Sequence, residues 1–267
     1  MVGRYSRSFD GYANEFEEAG MKLSASQLRH WITRMASNDP PSMNEYDVAY
    51  TKFVAELIDA LRVSRNVITE IEQLLLYPSN ISQSMVEQAV GLLRELGAKT
   101  KFVNKILETF RQGNLDQEQV FYGDCFVYLM HIEGVFDTLL SFLCVWSEAA
   151  SGAHISEEKV ETAKQAFQIL RDRRGIHFIQ SAYWDDEGHL RNSIAHARFS
   201  YSTTGCHFED SYNGKITYDQ TFSARTVNMK IQALYDFSLA VLYLMIFRVL
   251  LRSALLDLAQ RNSAPSS

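Results

Sequence analysis

The placement of proline is the feature that most constrains how this chain can fold. The four prolines are Pro40, Pro41, Pro78 and Pro265, so residues 79–264 contain no residue that must interrupt a helix. Apolar side chains in that region recur at intervals of three and four residues, the spacing that forms one face of an α-helix. The sequence therefore predicts an all-α fold, a helical bundle with long antiparallel helices.

Capping residues indicate where several of these helices begin. Ser42 with Glu45, and Ser84 with Glu87, have the spacing of a capping box, and Asp116 precedes a third long apolar run. Helices are expected at about residues 21–36, 42–74, 84–112, 116–150, 156–173 and 224–259, the last of them capped by Ser223. Residues 1–20 are polar, and we expect them to be partly ordered at best.

The pattern changes to period two after Arg198. Apolar and polar residues alternate through residues 199–218, and Asn213-Gly214 is a strong signal for a short hairpin turn. The sequence predicts a small β-hairpin or meander of two or three short strands at about residues 198–222, inserted before the last helix.

Charge and composition are those of an ordinary globular chain, and no shift in composition marks a linker at the division that we expect near residue 115. The net charge of −6 is concentrated in residues 1–150, so no polybasic surface indicates tight nonspecific binding to nucleic acid. We expect an N-terminal helical region of unknown role at residues 1–115 and a helical domain at residues 116–260. A disordered tail is expected at residues 261–267.

Cysteine usage and hydropathy favour a cytoplasmic protein with no membrane partner. The three cysteines are odd in number, widely spaced and form no Cys-x-x-Cys pair, which favours reduced thiols. The first residues contain no apolar run of the kind found in a secretory signal. The uncharged run at residues 237–247 is too short for a bilayer, which needs about 20 apolar residues.

The densest group of chemistry-bearing side chains is the segment Leu190-Arg191-Asn192-Ser193-Ile194-Ala195-His196. Arg191 carries a permanent charge on a planar fork of donors that suits phosphate, and His196 can exchange a proton near neutral pH. Asn192 lies one helical turn before His196, so it can orient the ring or contact phosphate. Together these residues indicate phosphodiester chemistry without a metal.

The two charged residues of this segment do not point the same way on a helix. Arg191 and His196 are five residues apart, which places them about 140° apart around the axis. A site that uses both fits better if two copies of the chain meet and each site combines side chains from both.

This segment resembles the Arg-polar-x3-His signature of HEPN domains, the higher-eukaryote and prokaryote nucleotide-binding superfamily. Tyr128-x4-Glu133-x3-Asp137 is similar to the acidic and aromatic first helix of many members. The resemblance covers about residues 117–260. It implies an all-α domain of four to five helices, and many such domains are metal-independent RNases in toxins, phage defence and RNA processing.

The resemblance also implies the site and its partners. Arg191, Asn192 and His196 are the expected catalytic residues, with RNA as the substrate and with neither metal nor cofactor. A homodimer is expected, and an antitoxin or regulatory protein is a possible partner. The rival interpretation is a noncatalytic HEPN-like helical module that serves dimerisation or binds a protein partner or a nucleotide.

Two further groups of residues are weaker candidates around the segment. The basic residues are Arg171, Arg173, Arg174 and Arg198, which can bind substrate, although the first three also suit a helix C-terminus. Glu133 and Asp137 form an i,i+4 carboxylate pair that either supports Arg191 or provides polar points in the core.

Two alternatives without catalysis by the motif remain open at this stage. His196 can be a satisfied, half-buried residue while Arg191 pairs with an acidic residue, Asp185, Asp186 or Glu187. A zinc set assembled from His189, His196, Cys206 and His207 lacks tight ligand spacing, and we expect no metal site.

Overall fold

The computed structural model describes residues 2–37, 39, 41–75, 83–150, 163–174 and 188–263. Its helices are α1 (Val2–Glu18), α2 (Lys22–Met35), α3 (Met43–Leu61), α4 (Arg65–Leu74), α5 (Gln83–Gln112), α6 (Gln117–His131), α7 (Asp137–Ala150), α8 (Ala163–Arg174), α9 (residues 188–195), α10 (Ala224–Leu244) and α11 (Arg252–Ser263). A π-helical turn joins α6 to α7 at Ile132–Phe136, and another joins α10 to α11 at Met245–Leu251. The predicted all-α fold is confirmed.

A small antiparallel sheet precedes the last long helix, as predicted. Its strands are β1 (Phe199–Ser202), β2 (Gly205–Tyr212) and β3 (Lys215–Phe222), in the order β1-β2-β3. Asn213 and Gly214 both have positive φ, 50° and 75°, as a two-residue hairpin turn requires. The pairing of β2 with β3 is irregular between Asp210 and Ser211, where the register shifts.

The chain forms two compact units. One comprises Met1–Val90 with Leu239–Ser267, and the other comprises Gly91–Ser238. These limits do not coincide with the expected division near residue 115, because α5 and the helical run from α10 to α11 each contribute to both units. Contacts rather than a linker define the units, so no change in composition marks their limits.

An aromatic cluster forms the centre of the first unit. Phe53 and Phe247 stack with ring centroids 4.2 Å apart, and Phe16 lies 5.6 Å from Phe53 and 4.9 Å from Tyr243. Residues 240–247 are all buried, as is the rest of the following π-helical turn except Arg248. The apolar run of the last helix is therefore covered within the chain, and it gives no support to a dimer.

The expectation for residues 1–20 is wrong. Residues 2–18 form helix α1, and Phe9, Ala13 and Phe16 are buried along one face of it. These three apolar side chains at helical spacing are sufficient to bury the helix face, and the polar residues between them face solvent. The low average hydropathy of the segment conceals that face.

The single helix expected at residues 42–74 is also wrong. The Ser42–Glu45 capping box is present, but α3 ends at Leu61 because Arg62 adopts a left-handed conformation with φ 52°. Ser64 then caps α4 through the amide of Val67. Ser84 lies inside α5, which begins at Gln83, so it is not an N-cap.

Later helix boundaries agree with the capping signals. Asp116 forms a capping box with Gln119 at the start of α6, and Ser223 accepts a hydrogen bond from the Thr226 amide before α10. The expected cap at Ser156 lies outside the described residues. The disordered tail expected at residues 261–267 is wrong for its first three residues, because α11 continues to Ser263; residues 264–267 lie outside the described residues.

Two helical spans are long and apolar enough to cross a membrane by length and composition. They are Gln117–Glu148 and Ala224–Gln260, and the most apolar window of each is 50% and 78% buried inside the protein, respectively. The core helix of a soluble protein passes the same test. These spans are therefore weak grounds for a membrane location.

We expect Phe16→Ala to lower the free energy of unfolding by about 3–5 kcal/mol, because it removes a fully buried ring from the aromatic cluster. Leu23→Ala, at a position 44% exposed, is the matched control and should change stability by less than about 0.5 kcal/mol. Urea unfolding monitored by circular dichroism measures both. Equal stability of the two variants would contradict the placement of α1.

Candidate functional site

Helix α9 carries the motif, and its anchoring face is apolar. Leu190, Ser193 and Ile194 are buried, and the Ser193 hydroxyl donates to the His189 carbonyl oxygen at 2.8 Å. These residues recur at intervals of three and four, so they hold one side of a short helix against the protein. The side chains of Arg191 and Asn192 are half-buried at its edge.

The end of α9 is closed by a left-handed residue. The Arg198 amide donates to the Ser193 carbonyl at 2.7 Å and the Ala197 amide to the Ile194 carbonyl at 3.0 Å, which is a Schellman motif. Ala197 has φ 52°, a conformation that costs a residue other than glycine about 1–2 kcal/mol. This sharp ending places His196 directly after the last residue of α9 and three residues before β1 begins at Phe199.

Arg191 contacts the π-helical turn between α6 and α7. Its Nη2 and Nε atoms donate to Oε1 of Glu133 at 2.9 and 3.2 Å. Both side chains are more than 40% exposed, so solvent screens the pair and its contribution to stability is small. The consequence of the contact is orientation of the guanidinium group.

Asp137 directly follows the same π-helical turn, and the charges of Arg191 and Glu133 affect the pKa of its carboxyl group. Burial raises the pKa of the Asp137 carboxyl to about 6; the positive charge of Arg191 opposes that rise and the negative charge of Glu133 adds to it. The sequence-predicted acidic residues therefore belong to the surroundings of Arg191 and lie beside the motif.

Asn192 contacts a buried carboxylate on β2. Its Nδ2 donates to Oδ2 of Asp210 at 3.1 Å, while its Oδ1 accepts from Nη1 of Arg191 at 3.3 Å. The Ser211 amide donates to the other Asp210 oxygen at 2.8 Å, at the point where the sheet register shifts. Burial disfavours the charged form of Asp210, but these bonds and one from His189 outweigh it and lower the pKa of the carboxyl.

His189 is the third group at Asp210. Its Nδ1 lies 2.9 Å from Oδ2 of the carboxylate, and its ring stacks on Tyr218 with centroids 5.0 Å apart and 10° between the planes. An ionised carboxylate can only accept, so Nδ1 carries the hydrogen in this contact. The ring is thus fixed in position, in plane and in tautomer.

His196 differs from His189 in every one of these respects. It is exposed, and its side chain makes no hydrogen bond to any described residue. The half-buried alternative for His196 is therefore wrong. Arg191 pairs with Glu133, and the other acidic partners considered for it, Asp185, Asp186 and Glu187, lie outside the described residues.

The basic candidates are not brought to the motif by any contact that the structure describes. Nε of Arg171 binds the neighbouring Asp172 at 2.7 Å, and Nη1 of Arg198 donates to the Ser211 hydroxyl. The side chains of Arg173 and Arg174 lie outside the described residues. Arg198 remains close to the site through Ser211, which follows Asp210.

The alternative zinc set is not assembled. Cys206 lies on the buried face of β2, whereas His207 follows it on the opposite face and contacts Thr221 and Asp219. In the described part of the chain, no group of three or more His, Cys, Asp or Glu side chains is placed to hold a metal ion. The three cysteines are buried and free.

A cavity of about 450 Å³ in the second unit lies apart from the motif residues. It is lined by α5, α6 and α10, including His131 and Tyr235. Burial lowers the pKa of His131 to about 4, and its Nε2 lies 3.0 Å from the Ser238 hydroxyl. None of Arg191, Asn192 and His196 lines this cavity.

Sequence reasoning missed Asp210 and Tyr218, and it considered His189 only as a zinc ligand. One signal was available: Asp210 is an acidic residue in the alternation Cys206, Phe208, Asp210, which otherwise predicts a buried strand face. A second was the i,i+3 and i,i+7 spacing of His189 to Asn192 and to His196.

Comparison of the chain with models of known protein families, with curated proteins and with solved structures gives no match. The resemblance to HEPN domains therefore rests on the motif residues and the acidic helix. Functional conclusions depend on the chemistry of the site itself.

We predict that the pKa of Asp137 follows the charges beside it. Arg191→Met should raise it above about 6 because a neighbouring cation is lost, and Glu133→Gln should lower it because a neighbouring anion is lost. Carbon-13 NMR titration of the carboxyl group measures both shifts. Arg198→Met is the control with no expected change, and an unaltered Asp137 in both test variants would contradict the arrangement.

Proposed function

We propose that this chain is a metal-independent endoribonuclease of the HEPN type that acts in the cytoplasm as a toxin or antiphage defence effector. The observation that carries the proposal is the contrast within the motif. Arg191 and Asn192 are held in place by Glu133 and Asp210, whereas His196 is exposed and hydrogen-bonds to none of the residues that the structure describes. An oriented cation and an exposed imidazole carried by the same short segment suit phosphodiester chemistry.

The reaction is transfer of a phosphodiester within RNA. The ribose 2′-oxygen loses its proton and attacks phosphorus, the bond from phosphorus to O5′ breaks, and O5′ takes up a proton. The products are a 2′,3′-cyclic phosphate and a 5′-hydroxyl end. His196 takes part as a proton-transfer group, and Arg191 stabilises the charge that develops on the phosphoryl oxygens.

The contacts of Arg191 leave it able to do this. A guanidinium group has five N–H donors, and the bonds to Glu133 and Asn192 use three of them. Within the described part of the chain, the other two donors have no partner and can bind phosphate oxygens. The amide nitrogen of Asn192 uses one of its two N–H donors for Asp210, and the amide oxygen orients Arg191.

A noncatalytic module is the second candidate function. The observation that favours it is that Arg191 and Asn192 already have partners within the chain, as residues that only stabilise a fold would. In that case the segment serves dimerisation or binds a protein or nucleotide. The two candidates differ in whether purified protein cuts RNA.

A homodimer accompanies the proposed activity. Arg191 and His196 diverge by about 140° on an ideal helix, and the arginine of one copy can complete the site at the histidine of another. An antitoxin or regulatory protein that covers the exposed His196 would hold such an enzyme inactive.

We predict that the purified protein cleaves RNA in EDTA and leaves 2′,3′-cyclic phosphate or 3′-phosphate ends. His196→Ala and Arg191→Ala should each reduce the rate by about 10²–10⁴-fold, because each removes a proton-transfer or charge-stabilising group. His207→Ala, at a half-buried position, and Arg225→Ala, at an exposed one, lie outside the motif; they are matched controls and should cleave as the wild type does. Gel analysis with end mapping measures rate and chemistry together.

Three results of that experiment would contradict the proposal. Uncut RNA with the wild-type protein would favour the noncatalytic module. Undiminished cleavage by either motif variant would remove the motif from catalysis. Ends that carry a 3′-hydroxyl, or activity that appears only with added divalent metal, would indicate a different reaction.

We predict partial recovery of activity when inactive Arg191→Ala protein is mixed with inactive His196→Ala protein. In a composite site the mixed dimer contains one intact combination of arginine and histidine. Light scattering gives the mass, and cleavage after mixing gives the recovery. A monomeric mass, or mixtures as inactive as their parts, would show that each site uses one chain only.

A further inference from the structure

Three polar side chains share one face of α9 and of the turn that directly follows it. His189, Asn192 and His196 are spaced i, i+3 and i+7, which returns almost to the same direction after two turns. The His196 amide donates to the Asn192 carbonyl at 2.9 Å, so the helical path continues to the second histidine. The two histidines are about 10 Å apart along the axis, with Asn192 between them.

The contacts of His189 suit it to accept a proton. Asp210 holds Nδ1 at 2.9 Å, and the carboxylate is itself ionised, buried and supported by Asn192 and the Ser211 amide. With the hydrogen at Nδ1, the basic lone pair lies at Nε2. The side chain is 40% exposed, so the ring is accessible to a substrate, and Tyr218 fixes its plane.

His196 lacks all of these constraints. It has no carboxylate partner among the described residues and lies exposed at the C-terminal end of the same face. A protonated imidazole needs no fixed tautomer to donate, because both ring nitrogens carry hydrogen. The two histidines are therefore suited to opposite roles.

We infer that His189 is the general base and His196 the general acid of one site, with the scissile phosphate seated over Asn192 between them. Nε2 of His189 takes the proton of the 2′-hydroxyl, and His196 gives its proton to O5′ as the bond from phosphorus to O5′ breaks. The net change is one proton moved from the 2′-oxygen to the 5′-oxygen. The step leaves His189 protonated and His196 neutral, and proton exchange with solvent restores both imidazoles. This inference rests on the proposed ribonuclease activity.

Asp210 is a positioning residue in this scheme. It acts through His189 by fixing the tautomer and through Asn192 by holding the amide that orients Arg191. Its replacement by asparagine keeps the size of the side chain but removes the obligatory acceptor. The effect should be a loss of the base function without a loss of the acid function.

A substrate whose leaving group needs no proton distinguishes the general base from the general acid. The substrates are an RNA dinucleotide and the same dinucleotide with sulfur in place of the bridging O5′, which departs as a thiolate. On the ordinary dinucleotide, His189→Gln and His196→Gln should each reduce the rate about 10²–10⁴-fold. On the sulfur-substituted dinucleotide, His196→Gln should recover nearly the wild-type rate, whereas His189→Gln should stay slow.

Asp210→Asn is the second variant and should behave like His189→Gln on both substrates. His207→Gln is the matched histidine control, with no loss on either. Circular dichroism of each variant checks that it is folded.

The outcomes separate this inference from the function on which it rests. A wild-type protein that cleaves neither dinucleotide nor longer RNA overturns the proposed function, and the inference with it. Wild-type cleavage with an undiminished rate in His189→Gln overturns the inference alone. Recovery of His189→Gln on the sulfur substrate, with His196→Gln still slow, overturns the assignment of roles.

Discussion

The hydrogen bonds to the buried carboxylate of Asp210 are the interactions on which the rest of the site depends. The carboxylate accepts from His189, Asn192 and the Ser211 amide, and so it joins a strand of the sheet to the helix that carries the motif. Hydrogen bonds to a charged group contribute about 1.5–3 kcal/mol each, and removal of one partner leaves a buried charge less satisfied. The sheet therefore acts as the support that orients the helix face, although it is a small part of an all-α fold.

A continuous series of contacts leads from this carboxylate to the acidic residues of the long helix. Asp210 holds Asn192, Asn192 holds Arg191, and Arg191 contacts Glu133 in the π-helical turn. Single π-helical turns are rare and often mark functional sites, because the extra residue changes which side chains face inward. Here the turn places Glu133 against Arg191 and leaves Asp137 half-buried nearby.

Features controlled by local chemistry could be predicted from the sequence. The caps at Ser42, Asp116 and Ser223 and the Asn213-Gly214 turn each depend on side chains within a few residues of the backbone that they satisfy. Features that depend on distant packing were missed: α1 exists because Phe16 meets an aromatic cluster formed by later parts of the chain.

The site shows the same division. Arg191, Asn192 and His196 are close in sequence and could be selected from their chemistry, and Glu133 was proposed from its helical spacing to Asp137. Asp210 and Tyr218 are brought to His189 by strand pairing and by the register shift after Asp210. No short sequence pattern indicates which strand pairs with β2 or where the register shifts. Inspection of the residues near His189 in the sequence therefore could not predict its contacts with Asp210 and Tyr218.

The tautomer of His189 tests the central claim most directly. Long-range proton–nitrogen NMR correlations of the imidazole rings distinguish a hydrogen on Nδ1 from one on Nε2 at a pH where the ring is neutral. The structure predicts the Nδ1–H form for His189 in the wild-type protein and a loss of that preference in Asp210→Asn. An Nε2–H form in the wild type, or a His189 spectrum unaffected by Asp210→Asn, would contradict it.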